Sequence, residues 1–320
     1  MRAEPQESSS RDGEAGRPSL VVGSAQAGRA VPEDLVFGGA YTRRVTAIEF
    51  AGVSRRFPVP RGGAYVAVES VSLSIAPGEF VAIVGPTGGG KSTLLNLAAG
   101  LIRPTTGTVL SFGQPVLGIN RRAAYLFQQD VLLPWKTALD NVELGPLLRR
   151  RPKAEAEGLA RQWLARVGLR GFENRYPHQL SGGMRKRVAL AQSLIVGPEV
   201  LLMDEPFSAL DVQTRALMEN DLLRIWQDDR KTVLFVTHDL EEAIALADRV
   251  LVLSAGPGAR IIGSHLVGLR RPRDVTEVRL EPAFQDLYRA VWSQLRGEVL
   301  RAYQSAGAGA NGRAGGGAVS

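Results

Sequence analysis

The chain has no cysteine, which removes disulfide frameworks, thiolate metal sites and cysteine nucleophiles together. A reducing compartment is compatible with this. No run reaches the roughly 18 consecutive apolar residues that a bilayer crossing needs. The N-terminus also lacks the apolar region of a signal peptide, because Leu20-Val21-Val22 is too short. The expectation is a chain that stays in the cytoplasm. No sustained heptads suggest a coiled coil, and no long unit is repeated.

What is present is ordinary for a soluble protein: 44% hydrophobic and 22% charged residues over 320, enough to bury a core. The net charge is +7, and its placement matters more than its size. Residues 45–300 carry only a mild basic excess, with clusters at Arg149-Arg150-Arg151 and Arg270-Arg271. Such runs are ordinarily solvated surface, so nucleic acid is not expected as a partner. Residues 1–44 are rich in Ser, Gly, Glu, Arg and Pro without periodicity, and 301–320 are dominated by Gly and Ala. Both are expected to be disordered extensions around one domain at 45–300.

Inside that domain, Val81-Ala82-Ile83-Val84 reads as a strand and Leu94-Leu95-Asn96-Leu97 as a helix. Between them lie Gly85, Pro86, Thr87, Gly88, Gly89, Gly90, Lys91, Ser92 and Thr93, which fit G-x-x-x-x-G-K-[ST]. Glycines without a Cβ let backbone N–H groups approach phosphate oxygens, and the following helix aims its positive end at the same anion. Lys91 would then reach the β- and γ-phosphates and Ser92 would ligate Mg²⁺. A ligand-free glycine turn is the plain alternative.

The other chemistry-bearing residues sit at element ends. Strand-like segments near residues 45–50 and 67–75 suggest a small antiparallel sheet ahead of the loop. Phe57 on that sheet could stack on adenine, with Tyr65 as the rival and plain sheet packing as the third reading. Gln128 follows the strand Ala124-Tyr125-Leu126-Phe127 and either reaches a bound metal or belongs to a polar loop. Leu132-Leu133-Pro134-Trp135 is an apolar segment that is either core or a docking site. Ser181, Gly182 and Gly183 open a helix and form either a second anion site or a simple cap.

The apolar strand Val200-Leu201-Leu202-Met203 delivers Asp204 and Glu205, placed to hold Mg²⁺ through water and to polarise an attacking water respectively. Asp211 precedes a long amphipathic helix. His238 follows the strand at 232–237, at the edge where open α/β sheets bind ligands, although taken alone it reads as a structural histidine. His178 and His265 lack that setting and read as structural.

Taken together, the ordered set resembles an ABC-transporter ATPase subunit: the phosphate loop at 85–92, Gln128, Leu180-Ser181-Gly182-Gly183-Met184, the acids at 204–205, Ser208 to Asp211, and His238. Within that family it is most similar to importer ATPases for nitrate, sulfonate, taurine and like solutes. The narrower likeness rests on Leu132-Leu133-Pro134-Trp135, on the Ser181-Gly182-Gly183-Met184-Arg185 run, and on Leu253-Ser254-Ala255-Gly256-Pro257-Gly258.

The resemblance implies an α/β P-loop fold of ABC type, with a mixed central sheet, flanking helices, an N-terminal antiparallel β subdomain and a helical subdomain at about 130–196. It implies ATP and Mg²⁺ as ligands, with Ser92, Gln128 and Asp204 at the metal and Glu205 and His238 as catalytic residues. Ser181, Gly182, Gly183 and Asp211 would act in trans, across an ATP-dependent head-to-tail dimer. A separate membrane permease would dock near residues 128–135, and an extracytoplasmic solute-binding protein would complete the importer. Such a subunit lies peripherally on the cytoplasmic face of the membrane. Met184 and Lys186 stand where many members carry glutamine, and both are placed near the dimer interface. The rival readings are a soluble ABC ATPase acting on nucleic acid or ribosomes, and a small-molecule P-loop kinase.

Overall fold

The computed structural model describes residues 46–60 and 62–311, without the side chains of 305–311. The chain opens with β1 (Ile48–Pro58) and β2 (Ala64–Ile75), antiparallel partners that set Phe50 opposite Leu73 and Phe57 opposite Tyr65. Next come β3 (Phe80–Val84) and α1 (Lys91–Ala98), on either side of the phosphate loop. Strand β4 (Thr106–Ser111) returns to pair with β1 and carries β5 (Gln114–Pro115) on its other edge. The antiparallel sheet expected ahead of the loop therefore takes its outer half from chain that follows α1.

Strand β6 (Ala123–Leu126) leads into a helical layer made of α2 (Ala138–Leu148), α3 (Lys153–Arg166) and α4 (Gly182–Leu194). The chain then alternates through β7 (Val200–Asp204), α5 (Val212–Asp229), β8 (Thr232–Thr237), α6 (Leu240–Leu246) and β9 (Arg249–Leu253). It finishes with β10 (Ile261–Leu266), the short α7 (Val275–Val278) and α8 (Pro282–Asn311).

A six-stranded sheet in the order β10-β9-β3-β8-β7-β6 forms the centre, parallel except for β10. Its inner strands are continuous apolar runs because both faces are covered. Period-two alternation divides those runs between two cores. Phe80, Ala82, Leu201, Met203, Val233 and Phe235 face the helical layer with α5, α6 and α8. Val81, Ile83, Val200, Leu202, Leu234 and Val236 face α1 and the antiparallel sheet. Truncating a fully buried member such as Phe80 costs about 3–5 kcal/mol.

Helix α2 was not legible as a helix, and its start explains why it forms. Thr137 caps it and shares a capping box with Asp140, and Pro146 is tolerated within it. At the other end, the expectation of an unstructured tail from 301 is corrected: α8 continues to Asn311. Alanine carries the highest helix propensity, and an Arg301–Glu298 ion pair at 2.6 Å bridges the expected boundary. The expectations for residues 1–44 and 312–320 lie outside the described residues.

Candidate active site

Four parallel strands that are neighbours in the sheet end along one edge. The register pairs Val84 with Thr237, Asp204 with Val236, and Leu126 with Met203, so the residues after each strand emerge side by side. That edge receives the phosphate loop from β3, His238 from β8, Asp204 and Glu205 from β7, and Gln128 from β6. A cleft of about 450 Å³ opens there, walled by Phe57, Tyr65, Thr87, Lys91, Gln128, Glu205 and His238 among others. Ligands bind at this edge in open α/β sheets.

Gly90 makes the turn from loop to helix. Its φ of +83° is left-handed, and a Cβ there would lie 2.7 Å from Val68 and 2.8 Å from the Ala67 carbonyl, so only glycine fits. Lys91 follows as the first residue of α1, and its buried ammonium donates to the carbonyls of Gly85 (2.9 Å) and Pro86 (3.1 Å). Burial pulls this ammonium below the usual lysine range, against the carboxylates of Glu205 and Asp204, which raise it.

The two acids are held differently. Asp204 accepts from the Ser92 hydroxyl at 3.0 Å and from the Tyr125 hydroxyl at 3.2 Å. Burial raises its carboxyl above the usual range, and those two hydrogen bonds oppose the shift. Desolvation, with the Asp204 charge adding to it, likewise drives the Tyr125 phenol far upward, so Tyr125 stays a donor. Glu205 sits at φ +42°, a strained backbone for a non-glycine residue. Its amide still donates to Val236 of β8 at 2.9 Å, while its carboxylate reaches His238 Nδ1 at 2.9 Å and lies 3.9 Å from Lys91. The Ser208 hydroxyl donates to the Glu205 carbonyl and receives the Gln128 amide at 3.5 Å.

An ammonium, a hydroxyl, two carboxylates and an imidazole thus converge on a glycine loop at a helix N-terminus. These are the groups that phosphoryl transfer to water requires. All the oxygens near Ser92 and Asp204 suit a hard divalent cation. Among the described residues no group of three or more His, Asp or Glu could hold a metal by itself.

Phe57 and Tyr65, set against each other as rivals by the sequence, are cross-strand partners that wall the cleft together. The Arg55 guanidinium covers the Phe57 ring at 4.5 Å, and the Tyr65 hydroxyl donates to the Gly88 carbonyl at 3.2 Å.

Ser181, Gly182, Gly183 and Asp211 are not brought to this cleft. Ser181 caps α4 by accepting from the Met184 amide at 3.2 Å, and Asp211 caps α5 by accepting from the Thr214 amide at 2.9 Å. The two caps adjoin, because a Cβ on Gly183 would lie 2.7 Å from the Thr214 methyl. Lys186, expected near the dimer interface, is 3% exposed and grips the segment after β6. His178 stacks on Tyr176, and His265 bonds Gln294 at 3.0 Å, as structural histidines do.

Tyr125 was missed as a site residue, although its strand runs toward Gln128 as the strand before Glu205 runs to the acids. Ser208 was seen only as the start of the run to Asp211, without its bonds to Glu205 and Gln128.

Comparisons with known proteins agree with this geometry. The ABC transporter family profile matches residues 68–208. An ABC transporter ATP-binding protein of Methanocaldococcus jannaschii is 46% identical over 240 residues, which are 75% of this chain and 88% of that protein. The nitrate import ATP-binding protein of Synechococcus elongatus is 43% identical, covering 79% of this chain and 90% of its own length. The bicarbonate transport ATP-binding protein of a Synechocystis strain is 41% identical over 73% and 84%. Among solved structures, a dimeric ATP-binding cassette in a post-hydrolysis state with ADP and phosphate superposes with a TM-score of 0.62. It is 33% identical, and the match spans 70% of this chain and all of that one. The chain belongs to the ABC transporter family, as one of its ATP-binding, ATP-hydrolysing cassettes.

Proposed function

We propose that this chain is the Mg-ATP hydrolysing subunit of an importer for a small solute of the nitrate, bicarbonate or sulfonate kind. It would work as a head-to-tail dimer on the cytoplasmic face of the membrane. The observation that carries the reading is the Glu205–His238 pair at 2.9 Å, set beside Lys91 at the mouth of the phosphate loop. In this reading the loop amides from Thr87 to Thr93 and the Lys91 ammonium hold the β- and γ-phosphates. Glu205 takes a proton from the attacking water, and His238 orients that carboxylate. Phe57 and Tyr65 together form the platform for the base.

Ser92 and Asp204, whose oxygens already meet at 3.0 Å, would hold Mg²⁺ with Gln128 as the third protein ligand. When bound, the ion neutralises charge on the phosphate oxygens. Ser181, Gly182, Gly183 and Asp211, standing outside their own chain's cleft, are assigned to the nucleotide of a second copy. Val212, beside Asp211, is exposed, as a residue covered in such a dimer is before assembly.

Among the described residues no helix is long and apolar enough to cross a membrane, so passage of solute falls to a separate permease. The docking surface is the segment after Gln128, where Val131 and Trp135 are exposed, Trp135 by 71%. Buried Asn141 holds that segment rigid, accepting from the Leu133 amide at 2.8 Å and donating to the carbonyls of Leu133, Lys136 and Thr137. An extracytoplasmic solute-binding protein completes the assembly.

The nucleic-acid reading loses its support in the basic clusters themselves. Arg273 is buried on backbone carbonyls, Arg271 pairs Asp248 at 2.8 Å, Arg151 pairs Glu155, and Arg149 donates to Val196. The test is Glu205→Gln in the complex assembled with its permease. ATP turnover should fall about 10³-fold with nucleotide binding retained; a rate equal to that of the unaltered protein would refute the assignment.

A further inference from the structure

Lys186 lies on the second turn of α4, yet its ammonium reaches across to the segment that follows β6. Nζ donates to the carbonyl of Gln128 at 2.6 Å and to that of Phe127 at 3.3 Å, and lies 3.0 Å from Asp130 Oδ1. The other Asp130 oxygen accepts from Arg185 Nε at 3.1 Å, and Arg185 Nη1 turns back to the Leu180 carbonyl at 2.8 Å. One carboxylate is therefore held between two neighbouring cations of α4. An ammonium 3% exposed is costly unless its protons and its charge are both matched. Two backbone carbonyls and the Asp130 carboxylate supply that match.

The two ends of this clamp belong to different active sites in the functional reading. Ser181 to Gly183, one turn away on α4, are assigned to the nucleotide of the second copy. Gln128, whose carbonyl Lys186 grips, has its side chain in the cleft of its own chain. A displacement of the N-terminal end of α4 pulls on the backbone of residues 127–130, because buried Lys186 holds two of its carbonyls at 2.6 and 3.3 Å.

We propose that Lys186, with Asp130 as counter-ion, is a positioning residue that transmits engagement of the Ser181 turn to Gln128. Closure of a second copy over one nucleotide then places Gln128 at the other. A glutamine in place of Lys186 is one atom shorter, carries two donors in place of three, and leaves Asp130 with Arg185 alone. This inference rests on the functional reading above.

The experiment compares the unaltered full-length chain with Lys186→Gln for Mg-ATP hydrolysis across ATP concentrations, with thermal melting measured alongside. The expected result is a kcat lowered about tenfold and a KM for ATP within about twofold, since the phosphate cradle is untouched. Lys186→Arg keeps the charge and the reach, and restores most of the lost kcat. Asp130→Asn keeps the shape, removes the counter-ion and shows the same kcat-selective loss, which serves if Lys186→Gln does not fold. An unchanged kcat, a loss confined to KM, or a loss that Arg fails to restore and that follows the melting temperature would overturn the inference. An unaltered chain that hydrolyses no ATP would remove the functional reading and this inference with it. An active chain indifferent to residue 186 removes the inference alone.

Discussion

The strand-end cleft and the start of α4 each set a serine and glycines at a helix N-terminus, but in different company. In the cleft, Lys91, Asp204, Glu205 and His238 are partnered inside their own chain, each within about 3 Å of an acceptor or donor. At α4, the Ser181 hydroxyl accepts from the Met184 amide of its own helix; Ser181 is exposed, and Gly183 is buried against Thr214. A helix start with two glycines and a positive dipole end suits an anion. The contrast fits the proposal that the chain carries halves of two different active sites.

The sharpest way to break that comparison is to mix two inactive chains. Glu205→Gln disables the cleft and Ser181→Tyr blocks the helix start, so each protein alone should be inactive. If the halves act across a dimer, the mixture regains ATP turnover, because each mixed dimer keeps one intact pair. If both act within one chain, the mixture stays as dead as its parts.

The base platform gives the next largest effect. Phe57→Ala and Tyr65→Ala should each weaken ATP binding about tenfold, in line with roughly 1–3 kcal/mol for stacking of one base. Affinity for inorganic triphosphate, measured by competition, should not change in either variant. A loss in only one of them would return the pair to a single stacking residue.

Beneath the cleft, Glu242 is buried against the Thr237 hydroxyl, and burial pushes its carboxyl up to about 8. Glu219, buried near Arg279, is raised to about 7. A carboxyl raised on folding is protonated more readily in the native state. Its stabilisation is therefore complete below pH 4.5 and is lost as pH climbs toward 8. The slope is at most about 1.4 kcal/mol per pH unit for one such group. Melting temperature should fall between pH 5 and 8, and Glu242→Gln should flatten the fall; an equal slope in that variant would rule Glu242 out as its source.

The smallest effect lies on the docking side. Thr137→Ala removes the cap of α2 and should cost about 1 kcal/mol in thermal unfolding. KM for ATP should stay unchanged, because α2 packs in the core away from α1.

Much of this was legible in the sequence, for identifiable reasons. The strands at 80–84, 200–204 and 232–237 are uninterrupted apolar runs ended by functional residues, so pattern and chemistry marked the same boundaries. Gly90 and Lys91 were legible because backbone geometry and charge demand those residue types. Helix α2 was hidden by Gly145 and Pro146 and by a cap whose partner, Asp140, sits inside the helix. The contact of Lys186 with Gln128 was not legible because sequence gives its spacing from Ser181 and not the face it occupies on α4. Asn141, fully buried and holding four backbone groups of the preceding segment, left no trace in periodicity.

The one-residue alternation of the central strands has a consequence for how such a chain can change over generations. Val81 and Ala82 are covalent neighbours, yet one packs toward α1 behind the phosphate loop and the other toward the helical layer, next to the proposed docking segment. A lineage that acquires a new membrane partner can therefore remodel the even-numbered residues of β3 while its odd-numbered residues keep ATP where it was. Adaptation to new cargo and upkeep of the motor draw on separate sets of positions within the same five-residue strand.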